Sequence, residues 1–318
     1  MLTINGVRVD DPQRPYIIAE AAGSHGQDYA TAQNLVRVAA DAGADAIKFQ
    51  TFRAEWIAAP DIVIPRGQGG SAHDAWLDRL GVVTLRDLFR WGGLPREWHK
   101  PLQVLAADCG ITFLSTPFSL EDARFLVEDI GVPAVKIASG DLTFVPLLQY
   151  ADSTNLPLIV STGGATFAEV KHAVFTHCKA AWSARRLVLM HCCSVYPAPE
   201  DSVNLRAIHA LQACLCPVGY SDHTLSAEVV PALAMATGAV CLEKHLRLEG
   251  DSTTVDAGHS LTPAQFRQMV ETVRQVPAIL GDGIKQPHAL EMHDRLFARR
   301  SPEDWLRPTQ AAREGTWA

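Results

Sequence analysis

The sequence lacks several features that would assign a protein to a class at once. No apolar stretch approaches the roughly 18 residues of a membrane-spanning helix, and the chain does not open with a basic segment followed by an apolar run. The net charge is −7 and basic residues form no cluster, so nothing indicates nucleic-acid binding. These absences predict a cytoplasmic protein that binds neither membranes nor nucleic acid.

Disulfide and zinc-binding spacings are absent as well. The seven cysteines are odd in number and include no pair of Cys-x-x-Cys motifs. Such a set predicts reduced thiols in a cytoplasmic enzyme rather than a cross-linked secreted domain.

Apolar runs do alternate with amphipathic stretches along the whole chain. We predict eight strands, each a near-continuous apolar run typical of a parallel sheet buried on both faces. The predicted strands cover residues 16–20, 45–50, 111–115, 134–138, 158–161, 187–191, 216–220 and 239–242. The predicted helices cover residues 29–42, 97–109, 120–130, 144–153, 167–177, 205–213, 225–237 and 263–279.

This succession predicts an α/β fold, a (β/α)8 TIM barrel, with an open doubly wound sheet as the alternative. Residues 2–9 alternate around Asn5-Gly6, which predicts an N-terminal β-hairpin that plugs the N-terminal end of the barrel. We assign residues 1–300 to the barrel domain and residues 301–318 to a short C-terminal tail.

Polar residues follow the predicted strands, where parallel barrels keep their chemistry. Lys48 and Lys136 lie inside apolar strands, where an unpaired ammonium group is costly. With the hydroxyl groups on adjacent strands they predict a pocket for a phosphate, or for a phosphate and a carboxylate. The alternative is a structural pairing of each lysine with a carboxylate such as Glu20 or Glu243.

Two histidines close consecutive strands, in the triplets Ser221-Asp222-His223 and Glu243-Lys244-His245. Imidazoles at one barrel rim can share a divalent metal that keeps open coordination positions. The alternative is a pair of hydrogen-bonded histidines that cap their strands. Glu20 and Glu243 lie on strands that meet when a barrel closes, and are candidates for proton transfer or for binding sugar hydroxyls.

Two rim loops supply further candidates. Asp256 lies in a Thr/Gly-rich loop beyond the last strand, although a turn or capping role is the alternative reading. His25 lies in the first rim loop and is a candidate substrate contact.

Together these residues resemble the barrel domain of the N-acetylneuraminate (sialic acid) synthase family. The matching blocks run in order along the barrel, and only their combination is specific. They are Ile17-Ile-Ala-Glu20, residues 42–52, Ser115-Thr-Pro-Phe118, Lys136-Ile-Ala-Ser-Gly140, Ser161-Thr-Gly163, His191-Cys192 with Tyr196-Pro197, residues 218–224 and Glu243-Lys-His245.

The resemblance implies a metal-dependent condensation of phosphoenolpyruvate with a sugar aldehyde, N-acetylmannosamine or a related aldose. The products would be a sialic-acid-like 2-keto-3-deoxy sugar acid and phosphate. The implied metal ligands are His223 and His245, with Mn²⁺ as the first choice and Mg²⁺ or Co²⁺ as alternatives. Glu20, Lys48 and His245 are the implied catalytic residues. The implied phosphoenolpyruvate site is Lys48, Thr116, Lys136, Ser139, Ser161, Ser194 and Ser221. The implied sugar site is Tyr196, Glu243 and Asp256, to which we add His25.

The chain also departs from the family pattern. Its first rim loop reads Ser24-His25-Gly26-Gln27, and Asp141 stands where the family carries Glu.

We expect the C-terminal antifreeze-like domain, which in the family crosses a dimer to the partner's sugar site, to be absent. A homodimer is therefore one expectation, and the acceptor stays open. The alternatives are a synthase acting on a phosphorylated aldose or a specialised-metabolite aldehyde, and a non-catalytic sugar-binding barrel.

Overall fold

A computed structural model describes residues 1–66 and 77–315 of the chain. The chain divides into two compact units, Met1–Ile279 and Leu280–Ala318. The predicted domain boundary at residue 300 remains a prediction. Within the described residues, no helix has both the length and the apolar character that crossing a membrane requires.

The strands of the first unit form a short hairpin and a large parallel sheet. The hairpin pairs β1 (Thr3–Ile4) with β2 (Val7–Arg8) in antiparallel fashion. The parallel strands are β3 (Tyr16–Glu20), β4 (Ala46–Thr51), β5 (Thr112–Pro117), β6 (Val135–Ile137), β7 (Leu158–Ser161), β8 (Leu187–Cys192), β9 (Val218–Asp222) and β10 (Cys241–His245).

The order of these strands closes the sheet into a barrel. Neighbouring strands run β5-β4-β3-β10-β9-β8-β7-β6, so the first and last parallel strands are hydrogen-bonded partners. The two strands at the ends of that order, β5 and β6, pack side by side. The predicted TIM barrel with its N-terminal hairpin is thus confirmed, and the open doubly wound alternative is excluded.

Helices follow the strands at the predicted places, and short helices also occur beyond the one that follows the last strand. In chain order they are α1 (Tyr29–Asp41), α2 (Ala54–Ile57), α3 (Leu85–Gly92), α4 (Arg96–Asp108), α5 (Leu120–Arg124), α6 (Val145–Ser153), α7 (Phe167–His172), α8 (Lys179–Ser183), α9 (Ala207–Gln212), α10 (Val229–Ala236), α11 (Pro263–Leu280), α12 (Met292–Ala298) and α13 (Gln310–Arg313). A π-helical segment, Phe125–Ile130, directly follows α5, and another, Ala173–His177, directly follows α7. The sequence did not predict α2, α3, α8, α12 and α13, because four to eight residues carry little helical periodicity.

Local side-chain caps fix where several helices begin. The Asp28 carboxylate accepts a hydrogen bond from the Thr31 backbone N–H at the start of α1. Thr166 and Glu169 form a reciprocal capping box at the start of α7. Such caps satisfy backbone donors that the first helical turn leaves free, so they define the strand-to-helix connections.

Side chains in each barrel strand alternate between the surrounding helices and the barrel interior. In β3, Ile17 and Ala19 pack with the helices, whereas Tyr16 and Ile18 pack inside the barrel. We call the apolar interior residues near the N-terminal ends of the strands the lower layer. It consists of Tyr16, Ile18, Ala46, Leu114, Ala134, Ile159, Val188, Met190 and Cys241.

The hairpin closes this end of the barrel. Leu2, Ile4 and Val9 are buried and belong to the same apolar cluster as the lower layer. Two residues further along each inward-facing row, the side chains become polar. We call this second set the upper layer. It consists of Glu20, Lys48, Thr116, Lys136, Ser161, Cys192, Ser221 and Glu243.

Candidate active site

The upper layer lines a cavity of about 450 Å³ at the C-terminal ends of the strands. Every predicted site residue except Asp256 and His25 contributes to its wall. The lining residues are Glu20, Lys48, Gln50, Thr116, Phe118, Lys136, Ala138, Ser139, Gly140, Ser161, Gly163, Cys192, Ser194, Tyr196, Ser221, His223, Glu243 and His245. The structure therefore brings the two predicted imidazoles and the two buried lysines to a common opening.

The lysine of β4 lies between two carboxylates. The Nζ of Lys48 forms an ion pair with Glu20, and the Oε2 of Glu243 lies 3.7 Å from it. The same Nζ donates a hydrogen bond of 2.8 Å to the Oγ1 of Thr116. Gln50 donates to the Oε1 of Glu20 over 3.0 Å, which holds that carboxylate in place. The structural pairing that the sequence left open as an alternative is therefore formed.

The lysine of β6 repeats this arrangement. The Nζ of Lys136 donates to the Oγ of Ser161 over 2.6 Å and lies 3.6 Å from the Oε1 of Glu243. Ser221 donates to that same oxygen over 3.0 Å. Glu243 thus stands between two buried ammonium groups, each with a hydroxyl beside it. Ammonium and hydroxyl donors that face a cavity form a site for a phosphate or carboxylate ligand.

Burial and neighbouring charges separate the pKa values of the two carboxyl groups. Burial raises the pKa of Glu20 to about 7, against the opposing charge of Lys48. Burial by itself would also raise the pKa of Glu243, but Lys136 and Lys48 lower it to about 2. Glu20 can therefore exchange a proton near neutral pH, while Glu243 remains an anion.

A loop after β7 approaches the cavity closely. The backbone N–H of Gly163 donates to the Oγ of Ser139 over 2.9 Å, and that oxygen lies 3.1 Å from the Sγ of Cys192. A Cβ atom at residue 163 would collide with the side chains of Ser139, Cys192 and Ser194. Only glycine allows this close approach of backbone to the polar wall.

Aromatic rings form the other side of the cavity. The ring of Tyr196 lies 4.2 Å from that of His223, and the rings of His223 and His245 lie 5.6 Å apart, between centroids. The Nδ1 of His223 donates to the carbonyl oxygen of Cys193 over 2.6 Å, which leaves its Nε2 as the lone-pair nitrogen. Burial lowers the pKa of both histidines, which favours the neutral imidazole that metals bind.

The donor atoms on this side fit a divalent ion. The Nδ1 of His245 is buried without a hydrogen-bond partner among the described residues, and so is the Nε2 of His259. One donor atom each from His245, Asp256 and His259 lie within 4.8 Å of one another. Imidazole nitrogens and a carboxylate suit first-row ions such as Mn²⁺ and Co²⁺, and the carboxylate also suits Mg²⁺.

The two predicted residues outside the cavity wall occupy different positions. The Oδ2 of Asp256 accepts a hydrogen bond of 2.6 Å from the Gly23 backbone N–H, next to the imidazoles. His25 is fully buried, with its ring centroid 6.0 Å from that of Trp98, and its Nδ1 accepts from the Gln27 backbone N–H. That position gives His25 a packing role, and its contact with substrate stays a prediction.

Two residues of the site, His259 and Gln50, were not predicted from the sequence. His259 follows Asp256 by three residues, a spacing that places both side chains on the same side of a turn. That Asp-x-x-His spacing after the last strand was the available signal, but nothing in the sequence alone showed that the loop folds back over His245.

The fold and the site together define a (β/α)8 barrel whose cavity brings two ammonium groups and two carboxylates beside a cluster of imidazoles. Comparison with known proteins identifies the enzyme family. The model of the NeuB family matches residues 35–285.

A N,N'-diacetyllegionaminic acid synthase from Legionella pneumophila is 37% identical over 303 residues, covering 94% of this chain and 82% of that protein. A pseudaminic acid synthase from Campylobacter jejuni is 32% identical, with coverages of 90% and 81%. The crystal structure of an N-acetylneuraminic acid synthetase from Leptospira borgpetersenii superposes with a TM-score of 0.78 at 31% identity, covering 92% of this chain and 94% of that one. The chain belongs to the NeuB family. It is an enzyme, a sialic acid synthase-like transferase that forms a carbon–carbon bond with phosphoenolpyruvate.

Proposed function

We propose that the chain catalyses a divalent-metal-dependent condensation of phosphoenolpyruvate with a sugar aldehyde. The aldehyde is N-acetylmannosamine or a related aldose, and the products are a sialic-acid-like 2-keto-3-deoxy sugar acid and phosphate. One observation carries this proposal: two buried lysines, two carboxylates and two imidazoles line a single cavity. Membership of the NeuB family supports the same reaction class.

Phosphoenolpyruvate carries a phosphate and a carboxylate, and the cavity offers donors for both. We assign its binding to the lysines and to the hydroxyls around them. These residues are Lys48, Thr116, Lys136, Ser139, Ser161, Ser194 and Ser221. Each lysine already holds a hydroxyl partner within 2.8 Å, so the pocket is preorganised for an anion.

The chemistry follows from the charges in the wall. His223 and His245 would hold a divalent ion, whose contribution when bound is Lewis acidity toward the aldehyde oxygen. The C3 of phosphoenolpyruvate attacks the aldehyde carbon, whose oxygen takes up a proton and becomes a hydroxyl group. Water adds to the cationic C2 that results, and the bond between C2 and the phosphate oxygen then breaks, which releases phosphate and leaves the 2-keto group. Glu20 accepts the proton from this water, since its pKa of about 7 suits proton transfer at neutral pH. Lys48 and Lys136 stabilise the phosphate as it leaves.

The acceptor side is the rim beyond these groups. Tyr196 is 52% exposed at the mouth, and the carboxylates of Glu243 and Asp256 act electrostatically on its hydroxyl group, with Glu243 lying deeper beside the lysines. We assign these three residues to the sugar. The similar proteins are synthases of different acids, legionaminic and pseudaminic. The acceptor must therefore be decided by the rim rather than by the shared phosphoenolpyruvate pocket. A cytoplasmic location and a homodimer remain predictions.

The decisive experiment follows phosphate release from phosphoenolpyruvate and Mn²⁺ with a panel of aldoses. We expect release with N-acetylmannosamine or another unphosphorylated N-acetylated aldose. Release only with phosphorylated aldoses would replace this acceptor class by the related synthase activity. Binding of phosphoenolpyruvate without release with any aldehyde would overturn the proposal in favour of a non-catalytic sugar-binding barrel.

A further inference from the structure

The loop after β10 returns to the mouth of the barrel and places two polar side chains against His245. The ring centroids of His245 and His259 lie 4.5 Å apart, and Asp256 contributes the third donor atom of the group. His245 is 6% exposed and His259 is 7% exposed, so none of this group is a surface histidine. Neither the strand-end triplets nor the anion pocket accounts for His259.

The contact between Asp256 and His259 is not an ordinary hydrogen bond. The Nε2 of His259 lies 3.2 Å from the Oδ1 of Asp256, yet this nitrogen has no hydrogen-bond partner within residues 1–66 and 77–315. Two ligands of one ion at about 2.1–2.2 Å, roughly at right angles, lie about 3.0–3.1 Å apart. The distance between these two atoms and the lack of a hydrogen bond between them are both expected if the two atoms bind one cation.

Hydrogen bonds from the loop after β3 and from Ser260 hold Asp256 in this orientation. Its Oδ2 accepts from the Gly23 backbone N–H over 2.6 Å, and its carbonyl oxygen accepts from the Oγ of Ser260 over 2.6 Å. A carboxylate fixed through one oxygen presents the other in a constant direction, which is how outer contacts orient metal ligands.

We propose that His259 is a ligand of the divalent ion, together with His245 and Asp256, beside the strand-end imidazole of His223. This inference deepens the proposed function, because it assigns the ion of that reaction a ligand from the loop after β10. Counted with His223, these make four protein ligands, which leave two positions of an octahedral site open for substrate oxygens. Ion binding itself needs neither substrate, so it can be measured apart from turnover.

The test is a titration of the metal-free protein with Mn²⁺ alone, followed through the electron paramagnetic resonance signal of unbound Mn²⁺. His259→Phe keeps a ring of similar size and removes the nitrogen, and we expect it to weaken Mn²⁺ binding at least about tenfold. His259→Asp restores an oxygen ligand and should recover part of that loss. Electron spin-echo measurements should count one coupled histidine nitrogen fewer in His259→Phe than in the wild type.

The matched control is His172→Ala. His172 and His177 form another close imidazole pair, with ring centroids 5.0 Å apart, and His172 is exposed on α7. If Mn²⁺ bound adventitiously to paired histidines, this variant would lose affinity too, whereas we expect no change. Near-ultraviolet circular dichroism establishes that each variant is folded, and Asp256→Asn provides a second loop variant with an expected loss of about tenfold.

The outcomes separate the two proposals. Unchanged Mn²⁺ affinity and an unchanged nitrogen count in folded His259→Phe would overturn the ligand assignment and leave the condensation reaction standing. Loss of Mn²⁺ binding in that variant, with no phosphate release from any aldose in the wild type, would support the ligand and remove the proposed function. A wild-type protein that binds no Mn²⁺ would remove the assignment as well.

Discussion

The lower and upper layers of the barrel interior lie on the same strands and have opposite chemistry. On β7, Ile159 belongs to the lower layer and Ser161 to the upper layer, with both side chains directed inward. On β3 the same step leads from Ile18 to Glu20. One strand therefore contributes to packing and to chemistry within two residues, because a parallel barrel is closed by apolar side chains below and remains open above.

The two layers are also stable for different reasons. The lower layer gains from apolar area removed from water, at about 25 cal/mol per Å². The upper layer carries buried charges whose desolvation is costly and is offset only where opposite charges and hydroxyls meet. Glu243 shows this balance, since it has Lys48 on one side and Lys136 on the other. The upper layer is thus arranged for a ligand rather than for stability.

The largest expected loss of turnover concerns His245, which lies on β10 two residues beyond Glu243 of the upper layer, and it tests whether the polar end of the barrel is dispensable for folding. His245→Ala should lower metal-dependent turnover by at least about 1000-fold, because a Lewis acid contributes several kcal/mol to the transition state. The variant should stay folded, since the ring lines the cavity and its Nδ1 makes no hydrogen bond to any residue that the structure describes. Phosphate release and urea unfolding measure both effects. Full activity of this variant with the metal chelated would remove the metal role.

The second largest expected effect is on the pH dependence of kcat/KM, through the upper-layer carboxyl group of Glu20. With a pKa of about 7, Glu20 is ionised above that pH, so kcat/KM should rise with pH through about 7 and then level off. At pH 6 about one tenth of the carboxyl is ionised, so kcat/KM should be roughly tenfold below its plateau. The Glu20→Gln substitution should lower kcat/KM about 100-fold at pH 8, and kcat/KM of this variant should no longer rise with pH through about 7. A limb that persists in Glu20→Gln belongs to another group.

The smallest expected effect on turnover comes from a comparison of two substitutions on β7, one in the lower layer and one in the upper layer. Ile159→Ala should lower the free energy of unfolding by about 2–5 kcal/mol through a cavity in the lower layer, with KM unchanged for folded protein. Ser161→Ala should raise the KM for phosphoenolpyruvate about tenfold, because Lys136 loses its hydroxyl partner, with a smaller change in stability. Chemical denaturation and initial rates on both variants make the comparison. Similar profiles for the two variants would contradict the division into layers.

Much of the fold could be predicted from the sequence because its signals are local. The apolar run that forms β7 was predicted with the bounds the structure shows, Leu158–Ser161, and α6 was predicted to within one residue. The hairpin was visible in Asn5-Gly6, and both of these residues have positive φ angles in the turn. Short helices such as α2 were missed because a single helical turn shows no period.

The candidate site was predictable only in part. Lys48 and Lys136 stand out in sequence because a charge inside an apolar run requires a partner. The sequence did not show that both would share Glu243, since that depends on where three strands lie in the closed sheet. His25 was predicted as a substrate contact from its place in the first rim loop, but the sequence did not show that its ring is buried beside Trp98. His259 escaped notice because its partner His245 lies on a different element.

The sequence by itself determined the order of strands and helices, and the residue types that end each strand, because periodicity and turn chemistry act over a few residues. Only the tertiary structure decided which strands become neighbours and which side chains meet at their C-terminal ends. Closing the barrel sets β10 beside β3, and folding the last loop back sets His259 against His245. Contacts between distant segments determine burial, pKa values and shared ligands, because those depend on distances that no local pattern encodes.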